Sequence, residues 1–162
     1  MVRLVQGTAK IISISTRNLA RLLILLILVG FIPATMAESS KTFGEYTIHY
    51  SAFTSDSLQP SMAKLYKIIR SKNRAILSIS IQKKAIAPIG SPVKADVTVE
   101  ATNLTGQLKN IKVRQVDEGN AVYYISEFHV AHEEIMDFTL TAKSKEFEKP
   151  LVVKFRQQFY TK

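Results

Sequence analysis

Residues 64–84, KLYKIIRSKNRAILSISIQKK, decide how the chain is read. Leu77, Ile79 and Ile81 alternate with Ser78, Ser80 and Gln82. A period of two is the mark of a strand with one apolar face. The strand expected here covers 74–82, with Ile76 out of step on its polar side. Ahead of it, Pro60 suits the first position of a helix. Met62, Leu65, Tyr66 and Ile69 then recur at helical spacing, so a helix of about two to three turns is expected to end near Arg70. The same stretch is the most one-sided in charge. No acidic residue lies between Asp56 and Asp96, whereas Lys64, Lys67, Arg70, Lys72, Arg74, Lys83, Lys84 and Lys94 all do.

On both sides the chain keeps the rhythm of strands. Tyr46, Ile48 and Tyr50 alternate with polar residues over 42–53, and Val93, Ala95, Val97, Val99 and Ala101 alternate with Lys94, Asp96, Thr98, Glu100 and Thr102. Further strands are expected over 108–116, 122–130, 136–142 and 153–159. The turn around Asp117–Asn120 joins two of them as a hairpin, and Pro88, Gly90 and Pro92 mark a loop. About seven short strands with regularly spaced turns, and one short helix between the first two, point to an all-β fold. The expected form is an antiparallel, immunoglobulin-like sandwich. Tyr123 and Tyr124, adjacent in a strand, are expected to face opposite sides.

The N-terminus reads differently. Arg3, Lys10, Arg17 and Arg21 come without a carboxylate, Leu22–Ile32 is an unbroken apolar run, and Thr35-Met36-Ala37 offers small residues at a cleavage site. That is the pattern of an export signal. The apolar run is about half of the ~20 residues a bilayer-spanning helix needs, so cleavage after residue 37 is favoured over an inner-membrane anchor. The expected organisation is therefore a cleavable signal peptide, 1–37, and one sandwich domain, 38–162, located in the periplasm. Four of the 22 Lys and Arg fall in the signal, leaving 18 cations against 13 acids, a net charge of +5. The absence of cysteine excludes disulfides, thiol chemistry and lipid attachment at a processed cysteine; a domain of this length can be held by apolar burial alone. Export makes nucleic acid an unsuitable partner despite the basic balance.

Several residues carry possible chemistry. Ser61 and Lys64 are spaced as Ser-x-x-Lys, with Ser71-Lys72-Asn73 shortly after. The pair lacks a Lys-Thr-Gly element and the two-domain context that such nucleophiles require. His129, His132, Glu133 and Glu134 form the densest set of possible metal ligands, with His49 apart from them, but their spacing matches no established site. A solvated strand-end corner is the ordinary reading. Asn103-Leu104-Thr105 is a formal glycosylation sequon in a turn. The basic segment suits an anionic partner, although lysines also serve simply to solvate a helix face or protect an edge strand. Residues 117–148 hold eight carboxylates against two lysines, so the domain is expected to be dipolar, as a monomer or weakly self-associating.

The runs TFGEYTIHYSAF, LQPSMAKLYKIIRSKNRAILSISIQKK, ATNLTGQLKNIKVRQV and FRQQFY resemble a family of small secreted proteins of Gram-negative bacteria, a domain of unknown function, over residues 41–160. The resemblance implies an exported single β-rich domain; it implies no activity and no cofactor. The turn Arg70–Arg74 is among the segments that carry it. Lys67, Arg70, Lys72, Asn73 and Arg74 are accordingly the expected partner-binding residues of a non-enzymatic periplasmic module, whose partner would be an envelope protein or an anionic envelope component. The alternative is a small metal-binding or hydrolytic protein using the corner at His129, His132 and Glu133.

Overall fold

Strand β3 (Arg74–Lys83) lies at the centre of its sheet, which explains why its sequence pattern is the clearest in the chain. The computed structural model describes residues 39–85 and 90–161; the expected signal peptide and the Pro88 turn lie outside them. Along β3, Ala75, Leu77, Ile79 and Ile81 have no exposed surface. Each large one contributes about 1.5–3 kcal/mol by leaving water. β3 pairs antiparallel with β2 (Tyr46–Thr54) on one side and with β8 (Val122–His129) on the other. Outside these lie β1 (Ser39–Phe43) and β7 (Val113–Asp117), while the two-residue β4 (Ser91–Pro92) pairs with the far end of β3.

A second antiparallel sheet runs in the order β10 (Leu151–Phe159), β9 (Glu134–Lys143), β5 (Asp96–Asn103), β6 (Leu108–Ile111). Its inner face carries Val97, Val99 and Ala101 from β5, and Met136, Phe138, Leu140 and Ala142 from β9. These pack against the inner face of the first sheet in one cluster that includes Ile48, Leu77, Ile79, Tyr124 and Phe128. Phe138 stacks on Phe155 with ring centroids 4.8 Å apart. The fold is the all-β antiparallel sandwich expected.

Two expected strands are each broken in the structure. The expected strand 42–53 is a hairpin, turned at Gly44-Glu45 with Phe43 opposite Tyr46. Gly44 sits at φ 58°, a conformation glycine takes at the first central position of a two-residue turn. The expected strand 108–116 breaks at Lys112. β6 pairs with β5 in one sheet and β7 with β8 in the other, so the chain changes sheets there. Tyr124 faces the central cluster, and its hydroxyl accepts the Ala95 N–H at 2.7 Å, while Tyr123 faces outward.

The helix also differs. α1 spans only Pro60–Leu65. It ends in a Schellman arrangement: Ile68 N–H donates to Ala63 O at 2.8 Å, Lys67 N–H donates to Lys64 O at 3.2 Å, and Lys67 stands at φ 53°. Such an ending commonly brings together the residues three before and two after the cap. Here these are Ala63 and Ile68, both buried, and they pack with Ile76 and Ile125 on the outer face of the first sheet. That contact is why Ile76 breaks the alternation of β3. Both apolar clusters lie within the unit Ala37–Lys162.

Candidate functional site

Ala63 and Ile68 take the sheet-facing role, with Tyr66 packed beside them, so of the row read as the apolar face of the helix Met62 and Leu65 point elsewhere and Ile69 lies beyond the helix end. At 100° per residue, Leu65 lies nearly opposite Ala63 on the helix and Met62 on the same outer side. Leu65 is 66% exposed, Ile69 61% and Met62 38%. Lys64, Lys67, Arg70, Lys72 and Asn73 are exposed as well, and Arg74 is half-buried at the start of β3. The structure thus brings the sequence-predicted residues onto one continuous segment, with exposed apolar side chains between them.

The segment is fastened to the sheet from below. Ser55 is completely buried; its Oγ accepts the Ser71 N–H at 2.9 Å and lies 2.9 and 3.0 Å from the carbonyls of Ile69 and Ser71, which share its proton. Arg70 Nη2 donates to Asp56 O at 2.6 Å, binding the carbonyl and not the carboxylate. Arg114 Nη2 donates to Tyr66 O at 2.6 Å, and Tyr66 Oη donates to Glu118 Oε1 at 2.5 Å. Glu118, first as hydrogen-bond acceptor, together with burial pushes the Tyr66 phenol up to about 12. Val130 N–H donates to Asn73 O at 3.0 Å, tying the turn into the β3–β8 ladder. None of these fasteners was visible in the sequence. Ser55 lies in a polar run with no pattern, and Arg114 and Glu118 are about fifty residues from the backbone and ring they hold.

Among the described residues the ion pairs lie elsewhere. Lys94 pairs with Asp117 at 2.6 Å, Lys109 with Glu134 at 2.7 Å, Arg156 with Asp137 at 2.7 Å, Lys83 with Glu45 at 3.6 Å and Arg114 with Glu127 at 3.8 Å. No described carboxylate comes within pairing distance of Lys64, Lys67, Arg70, Lys72 or Arg74. Their positive potential is left facing solvent.

The histidine corner is organised as a turn. Glu133 stands at φ 58°, and Glu134 N–H donates to Ala131 O at 3.3 Å. Burial pushes the Glu134 carboxyl up, but Lys109 and the Ala131 N–H outweigh it and hold the group below the usual range. His132 Nδ1 accepts the Thr161 N–H at 3.2 Å, with Nε2 3.7 Å from Glu133. His129 is exposed and sits directly across the strands from Arg74, whose charge opposes a cation there. No group of three or more His, Asp or Glu is placed to hold a metal among the described residues. Ser61 and Lys64 are both exposed on a helix of six residues. Asn103 Oδ1 accepts from Thr105 Oγ1 and the Gln107 N–H, organising the turn between β5 and β6.

An open cleft of about 540 Å³ lies at the Tyr46 end of β2, lined by Phe43, Glu45, Tyr46, Glu146 and Phe147 among others. The rings of Tyr46 and Phe147 meet edge to face at 4.7 Å, and the Tyr46 hydroxyl donates to Glu146 O at 2.9 Å. β2 separates the cleft from the Thr54 end by eight residue steps, about 26 Å.

The family model described as Domain of unknown function (DUF4426) matches residues 40–162. A crystal structure of a DUF4426 family protein from Pseudomonas aeruginosa PAO1 is 29% identical, with a TM-score of 0.66, covering 78% of this chain and 97% of that one. FetP of uropathogenic Escherichia coli strain F11, expressed recombinantly in the periplasm of E. coli, matches with a TM-score of 0.52 at 12% identity, covering 76% and 94%. A copper-bound variant of FetP matches equally, at 12% identity and a TM-score of 0.52, over 76% and 95%. At that identity the likeness is one of fold alone. A search of the curated proteins finds no match. No described helix is long and apolar enough to cross a membrane.

Proposed function

The chain belongs to the DUF4426 family, and from that footing we propose that it is a non-enzymatic periplasmic binding module whose contact surface is the basic helix–turn–strand segment around Lys67, Arg70, Lys72, Asn73 and Arg74. One observation carries this reading. Five cations between residues 64 and 74 meet no carboxylate among the described residues, on a segment held rigid by Ser55, Arg114 and the helix cap. A fixed array of unpaired cations attracts an anionic partner and loses little entropy on binding it. A group whose only task is solubility has no need of such fastening.

A crosslinking pull-down from intact cells, comparing the native protein with the Arg70→Ala/Lys72→Ala/Arg74→Ala variant, tests it. The native protein is expected to recover an envelope component that the variant does not, in a salt-sensitive manner. Because Arg70 also binds Asp56 O, the variant's melting curve is measured alongside. Equal recoveries by two folded proteins refute the reading.

A further inference from the structure

The basic segment carries three exposed apolar side chains that its role as a cation array does not use. We infer that it docks on the surface of an anionic phospholipid bilayer, with Leu65, Ile69 and Met62 entering the zone between headgroups and acyl chains while the lysines hold the phosphates. This rests on the proposed function and names the chemistry of the partner.

The apolar group comes first. A single exposed leucine is ordinary on a protein surface. Here Met62, Leu65 and Ile69 fall within eight residues, and the helix spends the smaller Ala63 on its own sheet while directing Leu65 away from it. Exposed apolar residues rimmed by polar ones mark contact sites. The rim is predominantly positive: Lys64, Lys67, Arg70 and Lys72 are all exposed and pair with no described carboxylate, against the one carboxylate of Glu118 that the Tyr66 hydroxyl binds. An apolar centre within a cationic border is complementary to an anionic bilayer, which offers negative phosphates above hydrocarbon.

The segment is fastened in advance, so its backbone needs no ordering on contact. Exposed apolar side chains on a fixed backbone suit a plane that yields, where an acidic protein would have to supply a matching cavity.

The test uses residues 38–162, the expected processed form, which contains both apolar clusters. The domain is co-sedimented with vesicles of phosphatidylcholine alone and of phosphatidylcholine with phosphatidylglycerol, at rising salt. Binding is expected only to the vesicles containing phosphatidylglycerol. Lys64→Gln/Lys67→Asn/Lys72→Gln should weaken it by about a hundredfold, at about fivefold per cation. Leu65→Ser/Ile69→Ser, at sites too exposed to affect folding, should weaken it by about tenfold or more. No binding to either vesicle overturns the inference. So does binding indifferent to the Leu65/Ile69 change, which would make the contact purely electrostatic. The proposed function stands or falls separately: a protein crosslinked in cells through Arg70, Lys72 and Arg74, without vesicle binding, supports it and removes the lipid.

Discussion

Lys67→Gly separates the demands of the fold from those of the surface. Lys67 occupies the left-handed position that ends the helix, at φ 53°. A residue with a Cβ pays about 1–2 kcal/mol there. Glycine avoids that strain but loses about 0.5–1 kcal/mol more backbone entropy on folding. The difference favours the glycine variant by roughly 0.5–1 kcal/mol, because the two backbone hydrogen bonds of the cap, Ile68 N–H to Ala63 O and Lys67 N–H to Lys64 O, do not depend on the side chain. In a domain of this size the melting temperature should rise by about 2–5 °C. The same change removes one cation from the segment, so affinity for phosphatidylglycerol vesicles should fall about fivefold. Thermal melts and co-sedimentation on the same preparation check both. A melting temperature that stays level or drops would refute the account of the cap. A melting temperature that rises with no loss of binding would remove Lys67 from the contact surface. A rise coupled to a loss would show a lysine held at a cost to stability for what it contacts.

Tyr66→Phe should destabilise the domain by about 1–2 kcal/mol, the value of a charge-assisted hydrogen bond discounted for partial exposure. Since the phenol is raised from 10.0 to about 12 in the folded state, the native protein keeps this advantage in full below pH 10 and loses it as pH rises toward about 12. Denaturant midpoints of the pair should therefore converge in that window, and a gap independent of pH would sink the assignment to Glu118. Two buried serines should respond with opposite signs. Ser55→Ala strands the Ser71 N–H and should cost about 1–3 kcal/mol, whereas Ser126, 1% exposed with an Oγ that meets no described partner, should gain about 1 kcal/mol as alanine. Unfolding midpoints that move in the same direction would overturn the comparison.

The sandwich was legible because burial of one sheet face imposes a strict period of two, and β5 and β9 obey it without exception over Val97–Ala101 and Met136–Ala142. The misplaced boundaries have different causes. A break that keeps the alternation in phase is invisible to it. Ile111 and Val113 both turn toward the central cluster although they belong to different sheets, so the change at Lys112 leaves no mark. The hairpin at Gly44-Glu45 did leave one. Phe43 and Tyr46 are an odd number of residues apart and would point to opposite faces of a single strand, yet both pack on the same cluster. The helix length was overestimated because the apolar row continued past Leu65, where the left-handed Lys67 had already ended the turn.

That row bears on function more than on fold. Periodicity shows that a set of side chains shares a direction; it does not say what they face. The Met62–Leu65–Tyr66–Ile69 row has the spacing of a core stripe, and composition offers no reason to doubt it. Of that row only Tyr66 packs toward the sheet, beside Ala63 and Ile68, the last supplied from beyond the end of the helix by its cap. Two large side chains are left in water that would each contribute about 1.5–3 kcal/mol if covered, in a domain whose whole stability is about 5–15 kcal/mol. A protein gains nothing in its own folded state by exposing them. On the proposed reading, their exposure beside four cations that meet no described carboxylate, on a backbone fastened from beneath, is accounted for by an anionic surface that covers them.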